Sequence, residues 1–256
     1  MTPTNLGVMD EANSLSNKEK LLGFTSSNYF SFSFISYQNV TTIVPFAPYA
    51  QFGLLIGLNL PYNFNCGFMY RVGLKHNDEF SFASSVNYLS TNQANSMYVP
   101  FNFDFGYKKE LFKKDNFSSA YKINLGHTIG PSINMFFPMV VSTFIIKNSF
   151  LFTFNSKDFN FSLNPSFQFG ATINIPFFVF MPQFLGTFNP AIECSWAFHS
   201  KNKAFYYVYS MDFSFDNNII ASNYAETMFI GCPKLGFNFA FLFNPNVLSK
   251  KNKKIS

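Results

Sequence analysis

The chain is short of charge. Asp, Glu, Lys and Arg make up 12% of its 256 residues, against roughly 25% in an ordinary soluble domain. A water-exposed surface is hard to build from that supply. The chain also lacks long apolar runs, since no window reaches the 18 or so clean residues of a membrane-spanning helix. The nearest approach, Met135 to Ile146, already contains Pro138, Ser142 and Thr143, and reads as strand. Extending it upstream to Leu125 gives the length of a helical hairpin anchor but takes in His127, Pro131 and Asn134.

Reactive side chains are equally scarce. Cys66, Cys194 and Cys232 are odd in number, far apart and outside any C-x-x-C pair, so neither a disulfide framework nor a zinc site is implied. His76, His127 and His199 stand singly in different segments, none beside a cysteine or a carboxylate pair, and each reads as a turn or lumen residue. There is no phosphate-binding glycine loop. The sequence therefore predicts no enzyme, no metal and no cofactor. Met1 to Lys20 shows no basic stretch followed by an apolar core, so a secretory route is not expected.

What the chain has is phenylalanine, 39 residues of it. A chain too apolar for water that lacks membrane helices points to a closed transmembrane β-barrel, because backbone groups in lipid must all be paired within the protein. The periodicity agrees. Phe30, Phe32 and Phe34 alternate with Ser31, Ser33 and Ile35, and Phe101, Phe103 and Phe105 with Asn102, Asp104 and Gly106. The same dyad returns at Lys122–Gly126, Phe159–Asn164, Ile192–Phe198 and Asp212–Asp216. Tyrosines such as Tyr29, Tyr49, Tyr62, Tyr70, Tyr107, Tyr121 and Tyr209 fall at expected strand ends, as in an aromatic girdle.

Turn signals at 75–78, 113–116, 155–158, 200–203 and 216–218 divide the chain into segments that hold one strand of about ten residues or a hairpin pair. Val8, Ala12, Leu15 and Leu22, with Asp10 and Glu11 early and Lys18 and Lys20 late, predict a short amphipathic helix. The organisation expected is an N-terminal segment over 1–23, a barrel over 24–243 and a basic tail over 244–256. The tail's Lys250, Lys251, Lys253 and Lys254 supply four of the formal +5 charges, so the body is near neutral and no nucleic-acid partner is implied.

Near the C-terminus, Lys234-Leu235-Gly236-Phe237-Asn238-Phe239-Ala240-Phe241 reads polar, any, glycine, then alternating apolar. It resembles the sorting signal of mitochondrial outer-membrane β-barrels, carried here by Lys234, Gly236, Phe237, Phe239 and Phe241. With the N-terminal helix and the uninterrupted meander, the pattern resembles the mitochondrial porin superfamily. Two stretches, Asn28-Tyr29-Phe30-Ser31 and Tyr49 to Gly57, are similar to the first strands of the channel-forming subunit of the outer-membrane protein translocase, although an extra residue separates Tyr49 from Phe52. Ser214 to Ile220 is similar to a region shared by both branches of the superfamily.

The resemblance implies an all-β antiparallel meander of about 17–19 strands in a mitochondrial or mitochondrion-related outer membrane. The partners it implies are membrane lipid, translocase receptors, small helical subunits, precursor polypeptides, the barrel sorting and assembly machinery, and further copies of the chain. Asp104, Glu193, Asp212 and Asp216 lie on the polar parity of their strands. In a translocase they would attract cationic targeting peptides, since a low-dielectric wall focuses the field of carboxylates, with Arg71 and Lys122 as inward basic residues. Ile35 would add apolar lining suited to unfolded polypeptide. The alternatives are a metabolite porin of the same fold, like the voltage-dependent anion channel, and a non-conducting structural barrel.

Overall fold

A computed structural model of the protein describes residues 10–31, 34–39, 62–91, 96–133, 139–157, 159–176, 183–200, 204–221 and 226–247. Twelve strand segments account for most of them: β1 (Lys20–Ser31), β2 (Phe34–Asn39), β3 (Tyr62–Gly73), β4 (Asp78–Thr91), β5 (Ser96–Tyr98), β6 (Phe101–Lys114), β7 (Phe117–Ile133), β8 (Met139–Asn155), β9 (Phe159–Pro176), β10 (Gln183–His199), β11 (Phe205–Ala221) and β12 (Glu226–Phe243).

These segments form ten staves. β1 and β2 run along β12 in one unbroken register, from Leu22 opposite Phe243 to Asn39 opposite Glu226. β5 and β6 likewise share one register on β4, and Pro100, which has no N–H to donate, marks the break between them. The ladder survives the break because the Asn87 N–H donates to the Pro100 carbonyl at 3.0 Å. Each stave pairs antiparallel with its neighbour in sequence, and β12 pairs antiparallel with β1, so the sheet closes on itself.

The strand count departs from the expected 17–19, and stave length is the reason. The staves β7 to β12 are 17 or 18 residues long, so what reads as a hairpin pair of short strands is often one long stave. Asp216-Asn217-Asn218, which resembles a turn, lies inside β11 opposite Cys232, Gly231 and Ile230. Leu125 to Ile146, the one stretch of helix length, contributes to two antiparallel staves, β7 and β8. With an even number of staves the seam is antiparallel, unlike the parallel seam of a 19-stranded barrel.

The expected N-terminal helix is also absent from the described residues. Asp10 to Glu19 form an irregular extended run with a turn at Asn17 and Lys18, and β1 begins at Lys20. Ala12 and Leu15 are buried, as their spacing implies, but their amides are bonded to the barrel wall instead of to carbonyls four residues back.

Parity along the staves is as the alternation predicts. Phe101, Phe103, Phe105 and Tyr107 are exposed, while Asn102, Asp104, Gly106 and Lys108 are buried. The apolar face is therefore outside and the polar face inside, the reverse of a water-soluble barrel. Tyr107 and Tyr209 are exposed and Tyr70 and Tyr121 half-buried on this outer face. Tyr29 and Tyr62 lie in β1 and β3 with side chains outside the described set, and Tyr49 and Phe32 lie outside the described residues. His127 is neither a turn nor a lumen residue. It stacks on Phe144 at 4.3 Å and bonds Ser142 at 3.1 Å, on outward positions of β7 and β8.

Leu125, 55% exposed at mid-stave between Phe105 and Ile146, tests the lipid assignment. Leu125→Arg is expected to cost about 2–4 kcal/mol in urea unfolding from lipid vesicles, as arginine does at the bilayer midplane. On a water-facing surface the same change would be close to neutral.

Candidate functional site: a charged lumen closed by the N-terminal segment

Inward positions carry polar residues, and in a barrel this narrow they meet one another. Arg71 on β3, Glu79 on β4, Lys108 on β6 and Lys122 on β7 come from four adjacent staves, with Glu79 opposite Lys108 and Lys108 opposite Lys122 in the ladder. All four are buried. Arg71 Nε lies 2.6 Å and Lys108 Nζ 3.0 Å from the Glu79 carboxylate. Three cations against one carboxylate would leave this cluster short of an anion at contact distance, an arrangement that costs several kcal/mol.

Asp10 supplies the missing anion. Its carboxylate lies 2.9 Å from Arg71 Nη2, 3.1 Å from Lys108 Nζ and 2.9 Å from Lys122 Nζ. Burial alone would raise the pKa of this carboxyl, but the three cations override it and hold the group well below the usual carboxylate range. The far wall holds the same residue by its backbone: Asn164 Nδ2 and Ser195 Oγ donate to the Asp10 carbonyl at 3.0 and 3.3 Å. One residue thus bridges β3, β6 and β7 to β9 and β10.

The segment that follows is fastened residue by residue. Lys108 Nζ donates to the carbonyls of Glu11 and Asn13, both at 3.0 Å. Ala12 N–H donates to Thr153, Ser14 N–H to Glu110 and Leu15 N–H to Glu79. Asn160 donates to the Glu11 carboxylate at 2.7 Å. Leu15 joins Leu21, Met69, Tyr206, Val208 and Leu242 in an apolar cluster. Two glycines make room. A Cβ on Gly73 would stand 2.1 Å from the Ser16 carbonyl, where the segment crosses the rim, and one on Gly106 would strike Ser81, Lys122 and Asn124. Beside Asp10 the free space is about 10 Å³, of the order of one water.

Of the sequence-predicted lumen residues, Asp104, Glu193 and Asp212 do point inward and are buried. Glu193 and Asp212 face each other across β10 and β11, Lys147 lies in the field of all three carboxylates, and Asn124 donates to Asp104. All three lie on the inner face of the barrel. Asp216 lies in β11 and Ile35 in β2, with side chains outside the described set. Arg71 and Lys122 face inward as expected, in the Asp10 cluster.

Lys234, Gly236, Phe237, Phe239 and Phe241 fall on β12, the stave that closes the barrel on β1. Phe237 and Phe239 are exposed, Phe241 packs on Phe205 and Tyr207, and Gly236 is buried. The Lys234 side chain lies outside the described set. Sequence reasoning missed Asp10, Glu79 and Lys108. The parity of Lys108, continuing inward from Asn102, Asp104 and Gly106, was the available signal.

No family model and no curated protein matches the chain. Solved structures do. The outer membrane protease OmpT from Escherichia coli superposes with a TM-score of 0.52 at 7% identity, covering 91% of this chain and 100% of that one. The translocator domain of the autotransporter NalP from Neisseria meningitidis gives 0.47 at 6% identity over 90% and 89% of the two chains. Ail of Yersinia pestis gives 0.26 at 10% identity over 88% and 99%. At these identities the likeness to OmpT is one of fold alone. The chain has the fold of an outer-membrane β-barrel.

Proposed function

We propose that the protein is an outer-membrane solute channel held closed at rest by its own N-terminal segment, with Asp10 as the latch. The observation that carries this reading is the bridge made by Asp10 across the lumen, from Arg71, Lys108 and Lys122 to Asn164 and Ser195. A segment seated through polar contacts on a polar wall leaves a hydrated path when it departs, because water replaces its hydrogen bonds on both sides. An apolar seat would not do so.

The protein-import role that the sequence resemblance suggests needs a lumen that admits an extended polypeptide. Ten staves filled by side chains and an internal segment favour smaller cargo, and the metabolite-porin alternative fits better. A mitochondrial-type outer membrane is the location implied by the likeness of Lys234 to Phe241 to a sorting signal. The number of contacts fastening residues 10–16 favours one further reading, a structural barrel that never opens.

Planar-bilayer recording of the refolded full chain separates these readings. The wild type is expected to be closed with rare brief openings. Asp10→Ala leaves a buried cation cluster short of an anion, a loss of about 3–5 kcal/mol, and is expected to raise the open probability by two orders of magnitude or more. A folded but silent variant would make the protein a structural barrel. Voltage-dependent block by a cationic presequence peptide, absent with an uncharged control, would restore the import reading.

The latch also has a pH signature. A carboxylate whose pKa is depressed on folding contributes stability that is complete above its unfolded value, about 3.9, and is lost as pH falls through the folded value. The difference in thermal stability between wild type and Asp10→Asn in detergent is therefore expected to stay constant from neutral pH down to about 5 and to shrink only below about 4. A difference that fades between pH 7 and 5 would show that Asp10 is not the group holding the segment.

A further inference from the structure

The two mouths of the barrel differ in charge. At the mouth where β1 begins and β12 ends, the short connections and the N-terminal turn carry Lys18, Lys20, Lys75 and Lys157, all exposed. At the other mouth the staves are joined by 40–61, 92–95, 134–138, 177–182 and 222–225. These residues lie outside the described set, but their sequence contains no Asp, Glu, Lys, Arg or His. In a chain with 18 basic residues the asymmetry is a property of the fold, because alternate connections lie at alternate mouths.

The β6–β7 hairpin adds a second and independent feature at the charged mouth. Past the outward Tyr107, the run Lys109-Glu110-Leu111-Phe112-Lys113-Lys114 shifts register between Glu110 and Phe112. That shift leaves Leu111 59% and Phe112 51% exposed, side by side with exposed Lys109, Lys113 and Lys114. Glu110, the acidic residue within the run, accepts from the Ser14 N–H and from Asn77 and lies 3.8 Å from Lys113 Nζ, and Asp115 is exposed in the turn, so the hairpin's three lysines outnumber its two carboxylates. Apolar side chains that enter the headgroup layer, ringed by cations that attract anionic lipid, form the two-part signal of an interfacial anchor. The outward Tyr107, whose hydroxyl donates to Asp78 at 2.7 Å, marks the same level on the barrel wall.

We propose that the β6–β7 hairpin docks the charged mouth on anionic phospholipid headgroups, and that the barrel inserts with the mouth of uncharged connections leading. The lysine-bearing mouth then stays on the side from which the protein arrives, because moving exposed lysines through hydrocarbon costs more than moving uncharged connections. This rests on the membrane-spanning reading, not on the channel reading. A barrel that never conducts would insert the same way.

The test uses the full chain with Cys66, Cys194 and Cys232 replaced by serine and with Asn116→Cys in the exposed β6–β7 turn. It is diluted from detergent onto preformed vesicles of phosphatidylcholine alone or mixed with phosphatidylglycerol. Inserted protein is expected to react almost entirely with a membrane-impermeant maleimide before the vesicles are lysed, and to insert at least about ten-fold faster into the anionic vesicles at low salt. Replacing Lys109, Lys113 and Lys114 with glutamine is expected to remove most of that preference while the heat-dependent gel shift of the folded barrel is retained. Leu111→Ser with Phe112→Ser is expected to slow insertion into both kinds of vesicle.

Equal rates on neutral and anionic vesicles, or labelling that appears only after lysis, would overturn the proposal and leave the spanning fold intact. Failure to float with either vesicle would overturn the spanning reading, and this proposal with it.

Discussion

Charge neutrality inside a narrow barrel is the constraint on which the rest depends. Ten staves enclose too little space for bulk water around Arg71, Glu79, Lys108 and Lys122, so these groups answer to one another and not to solvent. The sum of these four is positive, and their cluster is incomplete until an acid arrives at contact distance from elsewhere in the chain. Asp10 is that acid, which makes the N-terminal segment part of the interior. The same economy explains why the segment is extended. A helix would satisfy its own amides and leave Thr153, Glu79 and Glu110 without the N–H groups they accept.

The outer face obeys the opposite rule, and one composition serves both. Phenylalanine on alternate positions gives lipid an apolar surface with few polar atoms, and its rings pair across staves, as Phe82 with Phe105 at 5.1 Å, Phe169 with Phe188 at 5.0 Å and Tyr209 with Phe239 at 5.1 Å. Such cross-strand pairs add stability of their own. The staves are also longer than the roughly 9–11 residues that a tilted strand needs to cross hydrocarbon. The surplus lets β6 and β7 run on past the Tyr107 level into the lysine-rich hairpin.

Much of this was legible in the sequence, because parity is a local property. The inward assignment of Asp104, Lys122, Glu193 and Asp212 follows from counting in twos from their phenylalanine neighbours. The turns at 75–78, 113–116 and 155–158 were equally readable, being built from Lys, Asn and Asp. The connections at the other mouth carry no charge, so their boundaries with the staves were hidden and the strand count came out too high. Asp10 was hidden for a different reason. The spacing of Val8, Ala12 and Leu15 is a local helical signal, whereas the partners that override it lie 98 and 112 residues away, at Lys108 and Lys122. His127 was misplaced because a histidine is expected to seek polar company, and here Ser142 and the face of Phe144 supply enough of it on the outer wall.

Stave number then limits what an opened lumen could pass. A barrel of about eight strands is filled by its own side chains, and 16–18 strands leave an aqueous channel. Ten lies close to the first case, so the space available for transport is little more than the volume vacated by the segment itself. That space is lined by the cations Arg71, Lys108 and Lys122 on one side and by Asn164 and Ser195 on the other. A small anion or zwitterion meets a favourable partner there. An extended cationic peptide meets the cations instead, and its side chains fill the width. Vacated volume and charge therefore favour the proposed small solutes over polypeptide.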